Sequence, residues 1–350
     1  MKILFFINHL ADGGAERVAA TLINHLSLCH KITAVTFCEK EDTFPLNKSI
    51  TRRIIIANGN NKIMRAFKRI VCIRKEIKKE KPDITISFMT YTNIYTLIAK
   101  TGCKGNYIIS ERSSLNRTLP FLIRVIRNLT YPTATKVVFV TKADREKTKY
   151  KDKCETIYNP ITTELYPEHN NREKTITTIS AINRWQIKGL DLLIKAWAKI
   201  ATQNPEWNLE IYGRNNNIIP PEIQQLPQKR VSWLGWKDNI EEILRKKSIF
   251  VLTSRIEGCP NSLIEAMSQG CACIATNCAG GTKEIITDGK DGLLTESENI
   301  NDIAEKIQLL IRDEDLRYKL SVGAIEKAKQ FDKNIFFAKW DNLIAEVTAK

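Results

Sequence analysis

Residues 248–270 read SIFVLTSRIEGCPNSLIEAMSQG, and this stretch governs the reading of the fold. Ile249, Phe250, Val251 and Leu252 form a short continuous apolar run, as a strand buried on both faces does. A polar loop follows. A helix then opens at Pro260-Asn261-Ser262-Leu263, with an apolar face at Leu263, Ile264, Ala266 and Met267. Pro260 suits the first helical position, where its missing N–H would be unsatisfied anyway. The free N–H groups of a first helical turn, backed by the helix dipole, make an anion site. Two carboxylates stand beside it, Glu257 in the loop and Glu265 one turn into the helix. A carboxylate there suits hydroxyls, such as those of a ribose, so the local pattern points to a ligand both anionic and polyhydroxylated. Ser262-Leu263-Ile264-Glu265 also fits a capping box, in which the glutamate only closes the helix start. The rest of the chain has to decide between them.

Alternation of strand and helix extends in both directions. Before the opening stretch, strands are expected over 175–181, 208–212 and 231–234, with helices over 190–201 and 240–246. After it come a strand over 273–275, a loop over 277–282 and the tight turn Asp288-Gly289-Lys290-Asp291-Gly292 into Leu293-Leu294. Helices over 300–312, 313–330 and 333–348 close the chain. The first half begins with the apolar run 2–8, the turn Asp12-Gly13-Gly14-Ala15-Glu16-Arg17 and a helix with Val18, Ala19, Leu22, Ile23 and Leu26 on one face. Strand, glycine turn, helix opens a doubly wound α/β domain whose ligand crevice lies at the strand's carboxyl end. Gly13 and Gly14 fall short of G-x-G-x-x-G, so a structural turn and a phosphate or sugar contact both stay open. Further strands are expected over 32–37, 53–56, 84–88, 107–110 and 136–141, and a strand end at Ile157-Tyr158-Asn159-Pro160. The polar stretch 162–174, with Pro167, His169, Asn170 and Asn171, has linker composition. The expected architecture is therefore α/β, with two Rossmann-like doubly wound domains facing across a cleft. The first spans 1–160, a linker 161–174, the second 175–330, and a C-terminal helix over 331–350 returns to the first domain.

A chain of 350 residues that is 43% hydrophobic and 27% charged can bury two such cores, which excludes a disordered protein. No apolar run is long enough for a transmembrane helix, and MKILFFINHL turns polar too soon for a secretory signal. The nine cysteines are odd in number and form no C-x-x-C pair. That argues against a zinc site or disulfide framework and for a reducing cytoplasm, with Cys271 and Cys273 as small core residues. Charge is divided unevenly. Residues 1–165 hold 29 Lys+Arg against 14 Asp+Glu, and residues 166–350 hold 25 of each, so the whole excess of +15 lies in the first half. An anionic partner for that half follows, membrane or nucleic acid. A helix over about 62–80 carries Lys62, Arg65, Lys68, Arg69, Arg74, Lys75, Lys78 and Lys79 beside Ile63, Phe67, Ile70, Val71 and Ile77. A second, over 119–130, sets Arg124 and Arg127 among Phe121, Leu122, Ile123, Val125, Ile126 and Leu129. Such helices lie on anionic lipid or pack on the sheet with a solvated basic face.

One more element joins the first stretch. Asn183-Arg184-Trp185-Gln186-Ile187-Lys188-Gly189 follows a strand and precedes a helix, where Arg184 as a fork and Lys188 as a point charge suit a diphosphate. Taken with Trp233-Leu234-Gly235-Trp236, Ser254-Arg255-Ile256-Glu257-Gly258, Pro260-Asn261-Ser262-Leu263-Ile264-Glu265-Ala266 and Asp288-Gly289 … Gly292-Leu293-Leu294, it resembles the retaining glycosyltransferases of family 4. The resemblance runs across the second half and touches the first at Gly13-Gly14-Ala15-Glu16-Arg17 and Ile108-Ile109-Ser110-Glu111-Arg112. It is strongest to bacterial enzymes that extend lipid-linked glycans of the O-antigen or capsule type.

The resemblance implies a GT-B fold and a nucleotide-sugar donor, UDP-linked hexose or N-acetylhexosamine. It assigns Glu265 to the ribose hydroxyls and Glu257 to the donor sugar or its transferring centre. Arg184 and Lys188 would bind the diphosphate with the backbone at Asn261, Ser262 and Leu263. Gly258 and Cys259 would line the same loop. Gly213, Arg214 and Trp236 would lie along the base, and Gly13 and Gly14 would let the first domain's backbone approach the donor. Two departures stand out. Family members usually have glycine before the Arg and four residues between Arg and Lys, whereas Asn183 precedes Arg184 and three residues intervene here. Many relatives also carry histidine where Arg112 stands, and an arginine can donate a charged hydrogen bond but not act as a base. No Asp-x-Asp motif accompanies these cations, so metal-independent transfer without a cofactor is expected, the cations standing in for Mg²⁺. The implied acceptor is an undecaprenyl-diphosphate-linked glycan on the cytoplasmic face of the plasma membrane, whose anionic surface the basic first domain would hold. The alternatives are a nucleotide-sugar epimerase of the same fold, or a basic nucleic-acid-binding protein, for which no recognised motif appears.

Overall fold

The computed structural model describes residues 1–11, 13–40, 43–57, 59–167, 172–214 and 219–349. Asp12 of the glycine turn and His169, Asn170 and Asn171 of the polar stretch lie outside them. Two compact units result: Met1–Asn159 with Phe336–Lys350, and Pro160–Ile335.

The first unit is built from β1 (Lys2–Phe6), α1 (Gly14–Leu26), β2 (Lys31–Thr36), β3 (Thr51–Ile54), α2 (Lys62–Glu80) and β4 (Ile84–Phe88). It continues through α3 (Thr90–Ala99), β5 (Asn106–Glu111), α4 (Phe121–Thr130), β6 (Lys136–Phe139), α5 (Lys142–Glu146) and β7 (Cys154–Thr156). Its seven strands are all parallel, in the order β3-β2-β1-β4-β5-β6-β7. The apolar run of β1 is explained by burial on both faces. Ile3, Phe5 and Ile7 meet α1 on one side, while Leu4 and Phe6 meet Ile73 and Ile77 of α2 and Ile94 and Leu97 of α3 on the other. The last strand ends earlier than expected. Ile157 still donates its N–H to the Phe139 carbonyl at 3.0 Å, but Pro160 has no N–H to give and biases the preceding residue away from continuing the element.

The second unit comprises β8 (Glu173–Ile179), α6 (Trp185–Lys188), α7 (Leu190–Ile200), β9 (Asn208–Tyr212), α8 (Pro221–Gln224), β10 (Val231–Gly235) and α9 (Ile240–Lys246). Then come β11 (Lys247–Leu252), α10 (Asn261–Ser268), β12 (Ala272–Asn277), α11 (Thr282–Ile285), β13 (Leu293–Glu296), α12 (Ile300–Arg312) and α13 (Glu314–Ala328). Strand order is β10-β9-β8-β11-β12-β13, again parallel. This is the doubly wound order of dinucleotide-binding domains, with a reversal between β8 and β11. Trp197, Leu193 and Ile194 of α7 pack on Ile176, Leu209, Ile211, Ile249 and Val251 of the sheet.

The polar stretch before β8 is pinned to this unit. Ile161 donates to the Phe331 carbonyl at 2.7 Å and Tyr166 to the Ser268 carbonyl at 2.9 Å. The Arg172 guanidinium donates to the Lys247 carbonyl at 2.8 Å and to the Gln269 carbonyl at 2.6 Å.

The last helix, α14 (Lys333–Thr348), brings the chain back to the first sheet, where Phe336, Trp340, Leu343, Ile344 and Val347 join the α1 side of the core. Trp340 is fully buried, its ring 6.0 Å from Phe88 and 6.4 Å from Phe336. The indole N–H has no hydrogen-bond partner among the described residues, so shape and apolar area hold it. Trp340→Ala is therefore expected to destabilise the first unit by about 3–5 kcal/mol. Trp340→Phe, which removes an unpaired donor along with some volume, should cost less than about 1.5 kcal/mol. Urea midpoints of the two variants check this, and equal losses would show that the indole N–H matters.

Candidate functional site

In a doubly wound sheet the crevice lies at the carboxyl ends of the two strands flanking the reversal of strand order. In the second unit these are β8 and β11. The loop after β8 carries Arg184 and Lys188, and the loop after β11 carries Glu257. The two loops meet. Lys188 Nζ lies 2.6 Å from Glu257 Oε1, and Ser254 Oγ donates to the same oxygen at 2.6 Å. Lys188 is partly exposed and Glu257 is buried. Glu257 Oε2 is left with no hydrogen-bond partner among the described residues, and Lys188 retains two further N–H donors.

Other residues fix this pair in place. Arg255 forks onto Asp191 with bonds of 2.8 and 2.9 Å, and also donates to the Gln186 carbonyl and to Glu298. Its backbone N–H reaches the Ile187 carbonyl at 2.8 Å. The loop after β11 is thereby clamped to the turn that presents Lys188, and the Asp191 bonds hold the guanidinium's pKa above its ordinary range. Close approach does the rest. A Cβ on Gly189 would stand 1.9 Å from the Thr253 carbonyl oxygen, and one on Gly280 would stand 1.7 Å from that of Glu257. Both have positive φ, so both positions require glycine. Cys278, beside this loop, has its thiol pushed up to about 11 by burial first and by the Glu257 charge next, which keeps it protonated and inert.

Arg184 is exposed at the start of α6, and Lys188 ends that turn. Helix α10 begins at Asn261, with Pro260 as the residue before it and no side-chain cap. Pro260 is thus one position earlier than expected. Ser262 stands inside the first turn, so Ser262 and Glu265, although three apart, do not occupy the cap and third helical positions that a capping box needs. Leu263 and Ile264 donate their N–H groups to the Pro260 carbonyl, at 3.2 and 3.3 Å, which removes Leu263 from the expected set of anion donors. Glu265 is buried in the second turn, as are Leu263, Ile264, Ala266 and Met267. Gly258 accepts from the Gly281 N–H at 3.0 Å, and Cys259 is buried beside it. At the ends of β9 and β10, the Gly213 N–H donates to the Gly235 carbonyl at 2.9 Å. Arg214 lies over the Trp236 ring at 4.6 Å, a half-exposed platform suited to a planar ligand.

The first unit holds its own polar cluster. Gly13, with φ 105°, caps α1, which starts at Gly14. Glu16 fills the space where a Gly13 side chain would go, 2.7 Å from an ideal Cβ. Arg112 is buried, stacked on Phe88 at 5.1 Å and hydrogen-bonded to Ser110 Oγ at 3.3 Å and to Asn159. These contacts hold Arg112 against its own sheet. Next to it, Glu111 accepts from Tyr131 at 2.6 Å, from Thr90 at 3.0 Å and from the Ser113 N–H at 3.1 Å. Burial pushes the Glu111 carboxyl up against the downward pull of those bonds. Sequence reasoning named Arg112, and Glu111 only within a motif, but missed the bonds Glu111 makes to Thr90 and Tyr131 and the Arg255 clamp. The signal for the first was a Ser-Glu pair ending a strand that is otherwise apolar. Among the described residues no group of three or more His, Cys, Asp or Glu is placed to hold a metal ion. Asp313-Glu314-Asp315 has Asp-x-Asp spacing, but Asp313 caps α13 by accepting from the Leu316 N–H at 2.8 Å.

The family model described as "Glycosyl transferases group 1" matches residues 164–331, and the one described as "Glycosyltransferase Family 4" matches residues 12–165. An alpha-1,4-N-acetyl-D-galactosaminyltransferase of Campylobacter jejuni is 28% identical over 358 aligned positions, covering 99% of each chain. That enzyme is named for the substrate GalNAc-alpha-(1->4)-GalNAc-alpha-(1->3)-diNAcBac-PP-undecaprenol. A second enzyme of that organism, an N-acetylgalactosamine-N,N'-diacetylbacillosaminyl-diphospho-undecaprenol 4-alpha-N-acetylgalactosaminyltransferase, is 25% identical over 95% of this chain and 96% of its own. Among solved structures, the sucrose-phosphate synthase of Thermosynechococcus elongatus superposes with a TM-score of 0.85 at 16% identity, over 99% of both chains.

The squeeze behind Glu257 gives a direct test. Gly280→Ala should cost at least about 2 kcal/mol, because strain and collision with the Glu257 backbone act together. Gly235→Ala, with φ 67° and nothing within 4 Å of the new Cβ, should cost only about 1 kcal/mol. Thermal unfolding of the two variants separates them, and equal stability would mean the Glu257 loop yields freely.

Proposed function

The chain belongs to the glycosyltransferases of family 4, with the GT-B fold, and on that premise we propose that it transfers a hexose or N-acetylhexosamine from a UDP-linked donor to an undecaprenyl-diphosphate-linked saccharide. The reading includes retention of the anomeric configuration, to give an alpha linkage, and work at the inner face of a bacterial plasma membrane in surface-polysaccharide assembly. The alpha-transferases of Campylobacter jejuni named above support this choice of acceptor and linkage. The observation that carries it is the Lys188–Glu257 pair at the strand-order reversal, beside the start of α10.

A nucleoside diphosphate leaves with negative charge building on its phosphate oxygens, and fixed donors already aimed at that position lower the barrier. In this role Lys188 keeps its bond to Glu257 and turns its remaining N–H groups to the phosphate. Arg184 adds a second cation from the other end of the same turn. Glu257 Oε2 accepts a hydroxyl of the transferred sugar, which orients the anomeric carbon, and Glu265 takes the ribose. The Arg214–Trp236 platform takes the base. The acceptor hydroxyl attacks from the face that the diphosphate leaves, and a phosphate oxygen receives its proton. No carboxylate nucleophile and no metal is needed in this scheme. Arg112, held to Ser110 and Asn159, serves as a charged donor and positions rather than exchanges protons.

Lys188→Ala and Glu265→Ala should each lower transfer by at least about 100-fold, with circular dichroism unchanged. The assay is UDP release from a panel of UDP-sugars, with an extract of undecaprenyl-diphosphate-linked saccharides as acceptor. Turnover like the parent's in both variants would overturn the assignment. Donor conversion that needs no acceptor would point to an epimerase instead.

A further inference from the structure

In the first sheet the strand order reverses between β1 and β4, so a crevice of that unit's own lies at the carboxyl ends of these two strands. The turn out of β4 is strained. Met89 has φ 77° and ψ 143°, a conformation that a large side chain keeps only where its surroundings impose it. The end of β5 imposes it. The Met89 N–H donates to the Ser110 carbonyl at 3.0 Å, and the Met89 carbonyl accepts from the Asn93 N–H at 2.9 Å. The next residue, Thr90, turns its hydroxyl inward and donates to the buried Glu111 carboxylate at 3.0 Å.

The hydrogen bonds around this turn run in one direction. A carbonyl can only accept, so the Ser110 carbonyl, 2.9 Å from Asn93 Nδ2, fixes which way that amide faces. Asn93 Oδ1 then accepts from the Ser87 hydroxyl at 2.8 Å, and Nδ2 also donates to the Tyr131 oxygen at 3.2 Å. Tyr131 is left to send its own proton to Glu111, at 2.6 Å. Thr90 and the Ser113 N–H complete the set, so the donors all end on Glu111, and the three that reach it are neutral. A carboxylate buried among neutral groups costs stability, whereas a fully satisfied network rigidifies the segments it joins. Those segments are the start of α3, the loop after β5 and the end of α4, and the first two stand at the carboxyl edge of the sheet. With Thr90 turned in, Tyr91 is turned out, 41% exposed, its ring 6.4 Å from that of Tyr95. An exposed phenol ring gives an apolar face to the C–H groups of a sugar while the hydroxyls on either side stay hydrated.

We propose that Glu111 and Thr90 are positioning residues for the saccharide acceptor: the bond between them holds the strained turn 89–91 so that Tyr91 meets a sugar of the acceptor. The proposal rests on the transferase reading above and gives its acceptor a contact on this chain. Glu111 touches no substrate in this role and exchanges no proton. It acts through Thr90, and Thr90 acts through Tyr91.

Two variants that each take one hydroxyl from Glu111 separate positioning from plain stability, because Thr90→Val cuts the tie to the turn and Tyr131→Phe does not. Rates of UDP release are read with the extract of undecaprenyl-diphosphate-linked saccharides varied at saturating donor, and again with the donor varied. Thr90→Val should raise the acceptor KM by at least about tenfold and leave the donor KM unchanged. Thr90→Ser, which keeps the hydroxyl, should restore the parent's value, and Tyr131→Phe should lower the unfolding temperature without moving it. Tyr91→Ala, a surface change that leaves the core intact, should match Thr90→Val. An unchanged acceptor KM in Thr90→Val or Tyr91→Ala, or an equal rise in Tyr131→Phe, overturns the proposal and leaves the transferase reading intact. Retention of the same saccharides by immobilised protein, with no donor present, covers a parent that transfers nothing. Retention by that parent, lost in Thr90→Val and regained in Thr90→Ser, upholds the positioning role and removes the transferase reading. A parent that neither transfers nor retains them removes both.

Discussion

The reversal of strand order between β8 and β11 is the constraint on which the candidate site depends. It leaves two carboxyl-end loops side by side with no crossover helix between them, and the ion pair of Lys188 with Glu257 joins them. Neither charge is left without a partner as it leaves bulk water. Lys188 meets a carboxylate, and Glu257 meets Lys188 and the Ser254 hydroxyl on one oxygen. An unpaired carboxylate buried to this degree would be costly. The pairing keeps one oxygen and two ammonium protons uncommitted at the surface of the pair, and these are the atoms that can meet a ligand.

Most of the architecture was legible because hydrophobic period reports burial directly. Alternating strands and helices of the right length gave both sheets, and α2, β9, α9, α12 and α14 appear within a residue of their expected bounds. Several element ends moved, those of β3, β6 and β8 by two residues, and three further shifts have local reasons. Pro160 cuts β7 short, Pro260 precedes α10 instead of opening it, and the strand expected over 273–275 runs over Ala272–Asn277, because pairing with β11 on one side and β13 on the other extends it. The residue types at the site were legible as well. Their partners were not, because Asp191, Glu298 and Gly280 lie far along the chain from the residues they hold. Only the close approach of loops in space makes Arg255 a clamp and Gly280 a requirement.

The division of charge takes on a physical meaning at the level of single helices. In the second unit, α12 and α13 begin with acidic or amide caps, Asn299 and Asp313, as the dipole favours. In the first unit α2 also has an amide cap, Asn61, yet the starts of α2, α3 and α4 carry no acidic residue, and Lys62, Arg65 and Arg124 stand in the first turns of α2 and α4. Overall composition would permit the same excess of lysine on helix ends of either kind. Lys62, Arg65 and Arg124 at the positive ends, with Ile63, Phe67 and Phe121 exposed on the same helix starts, turn part of a general basicity into a local field beside apolar side chains.

The shortened spacing between Arg184 and Lys188 can be judged from the backbone. Residues Trp185–Lys188 form a single helical turn, with Arg184 at its cap and Gly189 in the left-handed conformation ending it. At about 3.6 residues per turn, two side chains four apart stand on the same side. The loss of one residue from the loop is therefore compatible with keeping both cations on one face, provided the turn is helical and stops at Lys188. Gly189 enforces the stop, since any side chain there would strike the Thr253 carbonyl. Arg255 reinforces it by bonding the Gln186 and Ile187 carbonyls within the same turn. Asn183 lies two residues before the turn, so Arg184, not Asn183, is the residue four positions from Lys188.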